Sequence, residues 1–237
     1  MFNRKPPAPP GDAFHPGGGL AILSDMPEPR FAYPIMLDLA GRPALVVGGG
    51  AVALRKARTL ADAGAAVRVV SPRFLAGFAR DKRLKCVAAA YASRHIRGMF
   101  LAVAATDDEA ANARVASDAR AAGALVNVVD WPERCDFIVP AVVKRGRLRI
   151  AVSTGGASPS LARRLREKLE RTFGKEYAAY LDVMTDVRRD VLSRGLSPAA
   201  RRRIFERLSE DDIVAAARRG KKALRRVVDE AIEQFLI

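Results

Sequence analysis

Apolar and polar positions alternate between two periods along this chain, and the alternation sketches the fold. Pro43-Ala44-Leu45-Val46-Val47 is an unbroken apolar run ending at three glycines, as a parallel strand buried on both faces should. Leu54, Ala57, Leu60 and Ala61 then recur at helical spacing opposite Arg55, Lys56, Arg58 and Asp62, which predicts an amphipathic helix over 51–63 stopped by Gly64. Val67 to Val70, Phe100 to Ala105 and Ala124 to Val129 read as further strands, with a helix over 108–122 between the last two. This βαβ rhythm predicts a parallel sheet. Later the pattern changes. Phe137 to Val143 and Leu148 to Val152 flank Lys144-Arg145-Gly146-Arg147 and predict an antiparallel hairpin. Beyond it Ser158 and Pro159 open a helix whose stripe is Leu161, Leu165 and Leu169, and helices continue to Ile237.

Residues 1–30 have no such periodicity. They hold seven of the chain's 14 prolines and Gly17-Gly18-Gly19, and read as a disordered extension. With 237 residues, 49% of them hydrophobic and 28% charged, the chain can bury a sizeable core, and no apolar stretch is long enough to suggest a membrane span. Two cysteines, Cys86 and Cys135, make neither a disulfide framework nor a CxxC pair, so a reducing, cytoplasmic compartment is expected. Two distant histidines give no metal-ligand set. A net charge of +15, spread along the chain, suits a polyanionic small molecule, a nucleic-acid surface or a generally basic proteome.

The chemistry sits where strands end. Gly48-Gly49-Gly50-Ala51-Val52-Ala53 fits the G-x-G-x-x-A dinucleotide pattern, with a strand before it and a helix after. Gly48 serves the tight turn, Gly50 admits a pyrophosphate close to the backbone, and Ala53 lets helix and strand pack. The acidic residue that usually ends the second strand is replaced by Val70-Ser71-Pro72-Arg73, which leaves NAD against NADP open. Thr106, Asp107 and Asp108 end another strand, where a helix cap and a ligand contact are equally good readings. Asp130 closes Asn127-Val128-Val129-Asp130, as a general base or a loop cap. Ser153-Thr154-Gly155-Gly156-Ala157-Ser158 reads first as a capped turn and second as an anion cradle.

Tyr33 to Leu39, the glycine segment through Lys56, Ala104 to Asp108, Asn127 to Asp130 and Ser153 to Pro159 together resemble the precorrin-2 dehydrogenase module of siroheme synthases, over about residues 31–172. The resemblance implies an α/β fold: a Rossmann-like NAD-binding domain over 31–142, a dimerisation hairpin and helix over 143–175, and a C-terminal helical domain over 176–237. It implies a cytoplasmic homodimer that oxidises precorrin-2, a polycarboxylate tetrapyrrole, to sirohydrochlorin with NAD, and in some members inserts Fe2+. The implied cofactor contacts are Gly48, Gly50, Ala51, Val52, Ser71, Pro72, Thr106 and Asp107. The implied substrate contacts are Asn127, Thr154, Gly155 and Gly156, with Asp130 catalytic and any iron held transiently near it. Thr154 stands where the family often has serine. A short-chain oxidoreductase of the Tyr-x-x-x-Lys type is disfavoured, because Tyr177 and Tyr180 have no lysine four residues on. The other alternative is a nucleotide-binding regulatory domain with a nucleic-acid-binding helical region, resting on Arg201-Arg202-Arg203 and Arg218-Arg219-Gly220-Lys221-Lys222. Those runs lie among acidic residues, so a solvated face, with no nucleic-acid or membrane partner, is the expectation.

Overall fold

The computed structural model describes residues 30–235; the Pro/Gly-rich segment expected to be disordered lies outside the described residues except for Arg30. From Ile35 onward the chain forms a single unit. Five strands, β1 (Pro43–Val47), β2 (Ala66–Ser71), β3 (Leu84–Ala88), β4 (Leu101–Ala104) and β5 (Leu125–Val128), make one sheet in the order β3-β2-β1-β4-β5, all parallel. The order reverses at β1, so the crevice of this Rossmann-like sheet opens at the carboxyl ends of β1 and β4. The apolar runs are explained by this arrangement: all four residues of β4 and four of five in β1 are buried. Helix α1 (Ala51–Asp62) lays Ala53 and Ala57, both fully buried, against the sheet, and their small size allows a close approach. The short helix α2 (Ala76–Ala79) precedes β3, and α3 (Glu109–Ala121) lies between β4 and β5.

Edge strand β3 escaped the sequence reading because Leu84-Lys85-Cys86-Val87-Ala88 is only partly buried and alternates poorly. The hairpin reading needs correction as well. Its strands are β6 (Ala141–Arg145) and β7 (Leu148–Val152), with Arg145 paired to Leu148, so the turn is only Gly146-Arg147 and Gly146 supplies the positive φ of 57°. Phe137 to Pro140 stay out of the ladder. The Asp136 N–H reaches the Val126 carbonyl at 2.8 Å and the Phe137 carbonyl accepts from Asn127 at 3.0 Å, which ties this stretch to β5, while Pro140 has no N–H to donate.

Helix α4 (Pro159–Thr172) carries the leucine stripe, yet it buries only Ala162; Leu161 and Leu165 are exposed. Helices α5 (Glu176–Ser193), α6 (Pro198–Leu208), α7 (Asp211–Ala216) and α8 (Lys221–Glu233) enclose a second core built on Val187, Val191, Ile204, Leu208, Ile213, Leu224 and Val228. The basic runs on these helices are partly neutralised in place: Arg202 pairs with Glu206, Arg218 with Glu176 and Lys221 with Asp182.

Candidate functional site

Three glycines form the turn between β1 and α1, and backbone overlap forces the first two. Gly48 has φ of 132°, donates its N–H to the Val70 carbonyl at 3.0 Å, and has no room for a Cβ, which would overlap the Ala105 carbonyl. At Gly49 a Cβ would overlap the Arg73 carbonyl. Gly50 is different. A Cβ there would meet nothing within 4 Å, so this glycine faces open space that a ligand can occupy. Gly50 is also the N-cap of α1, with no capping side chain and no acidic residue in the first helical turn. The first amides of α1 therefore remain available, at the positive end of the helix dipole.

These amides open into a cleft of about 550 Å³ whose lining includes Gly48, Gly50, Ala51, Val52, Ser71, Pro72, Thr106 and Asp107, every cofactor contact the sequence suggested. The cleft walls are braced by short bonds. The Ser71 hydroxyl donates to the Arg73 carbonyl at 2.7 Å, so it shapes the loop after β2. Asn112, buried on α3, accepts from the Thr106 N–H at 3.2 Å and hydroxyl at 2.8 Å and donates to the Thr106 carbonyl at 2.9 Å. Both aspartates line the cleft, but Asp108 is also the helix cap, accepting from the Ala111 N–H at 3.0 Å, a duty Asp107 does not have.

Sequence reasoning missed Asn112 and Tyr91. Tyr91 lines the cleft and donates its hydroxyl to Asp118 at 2.9 Å; burial and this bond push its pKa up, so it stays a neutral wall. Its sequence surroundings, Ala89-Ala90-Tyr91-Ala92, carry no motif. For Asn112, a polar residue on the buried face of an otherwise alanine-rich helix was the available signal.

Asp130 stands at the same carboxyl edge, just past β5, in the left-handed region with φ of 59°. Aspartate tolerates that conformation better than most residues. The loop that imposes it folds back on itself. Buried Cys135 accepts the Val128 N–H at 3.1 Å, and its thiol lies 3.2 Å from the Val128 carbonyl. Asn127 is buried too; its amide nitrogen binds the Phe137 carbonyl, and its Oδ1 has no partner among the described residues. Half-buried Lys56 on α1 senses this loop: burial and Arg55 lower its pKa, while Cys135 and Asp130 oppose the fall.

A second cavity, about 700 Å³, holds Thr154 and Gly156 at its wall, beside Ile138, Val139 and Pro140. The hydroxyls here serve the backbone: Ser153 accepts from the Gly155 N–H at 3.1 Å, Thr154 from the Ser158 N–H at 3.0 Å, and Ser158 from the Leu161 N–H at 3.3 Å. Asn127, Asp130 and Gly155 line neither cavity.

Known proteins share this geometry and its sequence. A model of NAD(P)-binding domains matches residues 35–141, and one for the central part of sirohaem biosynthesis proteins matches residues 145–172. Siroheme synthase 1 of Aeromonas salmonicida is 44% identical over 194 residues, and the siroheme synthase of Azotobacter vinelandii is 45% identical over 175. The solved structure of SirC, a precorrin-2 dehydrogenase, superposes with a TM-score of 0.69 at 28% identity, covering 84% of this chain and 99% of that one. Module by module, the chain is similar to siroheme synthases and to a precorrin-2 dehydrogenase. The two synthase alignments take in 80% and 73% of this chain but only 42% and 38% of those relatives, so the chain spans about two fifths of their length. Within it the cleft at α1 belongs to the NAD(P)-binding domain. Among the described residues no helix is long and apolar enough to cross a membrane, and no group of three or more His, Cys, Asp or Glu is placed to hold a metal ion.

Proposed function

We propose that this protein oxidises precorrin-2 to sirohydrochlorin with NAD, and that it also inserts Fe2+ into the product. The observation that carries the reading is the uncapped start of α1, open at Gly50, on the same sheet edge as Asp130. The cradle fits a dinucleotide: amides for the pyrophosphate, the Ser71-Pro72-Arg73 loop for a ribose, and Thr106 and Asp107 across the cleft. Bound there, the nicotinamide supplies the hydride acceptor. The chain's own task is then to orient the macrocycle and remove a proton, which Asp130 does as general base. Asn127 acts through the loop that holds Asp130, while Thr154, Gly155 and Gly156 shape the substrate side. Iron is a substrate in this reading, handled transiently near Asp130.

The same reading makes the protein a cytoplasmic homodimer with boundaries near residues 142 and 175. Leu161 and Leu165 leave apolar surface on α4 that a second copy would cover. NAD is favoured over NADP by the resemblance, although Arg73 at the cleft is compatible with a 2′-phosphate. The test is an anaerobic assay of precorrin-2 with NAD⁺ or NADP⁺, followed by Fe2+ addition to sirohydrochlorin. Sirohydrochlorin formation with NAD⁺ is expected, and no turnover with either cofactor overturns the assignment.

A further inference from the structure

Helix α1 borders both cavities. Its first residues line the cofactor cleft, and Arg55, about 6 Å further along the helix axis at 1.5 Å per residue, lines the 700 Å³ cavity. That second cavity combines an apolar wall, Ile138, Val139 and Pro140, with three arginines, Arg55, Arg163 and Arg166, and no acidic residue lines it. Two of the cations are already engaged. Arg163 pairs with Glu167 at 3.0 Å, and Arg166 pairs with Glu170 at 2.6 Å and Glu167 at 3.2 Å. The Arg55 guanidinium makes no ion pair or hydrogen bond with any described residue, only its backbone carbonyl being used, by the Thr59 hydroxyl at 2.9 Å, and the nearby Ser153 and Thr154 hydroxyls are committed to backbone amides. An unengaged guanidinium at the mouth of an apolar-walled cavity, one helical turn from a cofactor cradle, is suited to a carboxylate on the rim of an apolar ring.

We infer that Arg55 recognises a carboxylate of the macrocyclic substrate and so positions the ring in the second cavity, against the cofactor cleft. The inference rests on the polycarboxylate-substrate reading above and adds the residue that reads the substrate's charge. Apolar side chains take the ring, and the unpaired cation takes its acidic periphery. Binding of this kind holds ground state and transition state alike, so its loss raises KM and spares kcat.

The test compares the full-length protein with Arg55→Gln, Arg55→Lys and Arg55→Glu, using precorrin-2 turnover at saturating NAD⁺, sirohydrochlorin binding by fluorescence quenching, and NAD⁺ affinity by calorimetry. Arg55→Gln is expected to raise KM and weaken sirohydrochlorin binding about 10- to 100-fold, the range for losing a charge-assisted hydrogen bond, with kcat and NAD⁺ affinity nearly unchanged. Arg55→Lys should recover part of the loss, since it keeps the charge without the fork, and Arg55→Glu should be worse than Gln. An unchanged KM in Arg55→Gln overturns the inference, as does a parallel loss of NAD⁺ affinity, which would mean damage to α1. A shift in oligomeric state by sedimentation with KM unchanged would give the cavity to a second copy of the chain instead. Wild-type protein that neither binds sirohydrochlorin nor turns over precorrin-2 defeats the functional reading itself. An active wild type with an indifferent Arg55→Gln defeats only this step.

Discussion

Helices α1 and α4 both follow loops containing paired glycines, yet they treat their first amides in opposite ways. At α4 the loop is closed upon itself: Ser153, Thr154 and Ser158 each accept a backbone N–H of the turn or first helical residues. At α1 the N-cap is Gly50, with no side chain to accept anything and no acidic residue in the first turn. A glycine N-cap costs a helix only about a few tenths of a kcal/mol relative to a capping side chain. Helix α1 offsets that cost through Ala53 and Ala57, buried against the sheet, whereas α4 buries only Ala162 and relies more on its caps. A well-packed helix can keep its end open for a ligand; a poorly packed one closes it. By this contrast the glycine turn at α1 is a binding device, and the one before α4 is first a structural one.

The strongest way to break the comparison is to close the open end. Gly50→Asp places a carboxylate where the pyrophosphate would lie, in space where the added Cβ meets no protein atom within 4 Å. NAD⁺ binding by calorimetry should be abolished while the thermal unfolding midpoint stays near wild type. Retained affinity would remove α1 from the cofactor site. The second effect lies across the same edge. Asp130→Asn keeps a side chain that tolerates φ of 59° and removes only the charge. Dehydrogenation should slow by about 10²- to 10⁴-fold with NAD⁺ affinity intact. Turnover close to wild type would reduce Asp130 to a loop residue, and assay of Fe2+ insertion on the same variant would show whether both activities share it.

How far the sequence reveals this site follows from what each residue does. The sheet was legible at β1, β2, β4 and β5 because strands mostly buried on both faces are mainly apolar runs, while half-exposed β3 and the tether around Asp136 and Phe137 leave no periodic mark. The cofactor cleft was legible because glycine spacing is dictated by backbone overlap at Gly48 and by open space at Gly50. Asn112, Tyr91 and the unpaired state of Arg55 were not, since each gains its meaning from residues distant in sequence or from the absence of a partner. Asp107 and Asp108 read alike as letters and both line the cleft, yet only Asp108 also caps α3.

A milder change opens the closed end. Ser158→Ala removes the acceptor for the Leu161 N–H and should cost about 1 kcal/mol in urea unfolding, leaving NAD⁺ affinity unchanged. A loss of NAD⁺ affinity instead would mean that the α4 turn reaches the cofactor.

The smallest expected effect comes from an end closed by a titratable group. In the 3-10 turn Ser93–Ile96, the buried His95 ring accepts the Ala92 N–H through Nδ1 at 3.1 Å, a bond that needs the neutral ring. Burial, with Arg94 and Arg68 adding, lowers the His95 pKa below its ordinary 6.5. The sign follows: above 6.5 neither folded nor unfolded chain is protonated there, and the full stability is present. As pH falls through 6.5 the unfolded chain takes up a proton that the folded one refuses, so stability declines until the folded pKa is reached. The lowered carboxylates Asp81, held at about 2 by its Arg83 hydrogen bond, and Asp212, held down by Arg207, exert their effects at more acid pH. Thermal unfolding at pH 7.5 and 5.5 should therefore show a wild-type loss, on the order of a few °C in Tm, that His95→Gln lacks. Equal pH sensitivity in the two proteins would mean that His95 titrates alike folded and unfolded, and that its acceptor bond does not govern this turn.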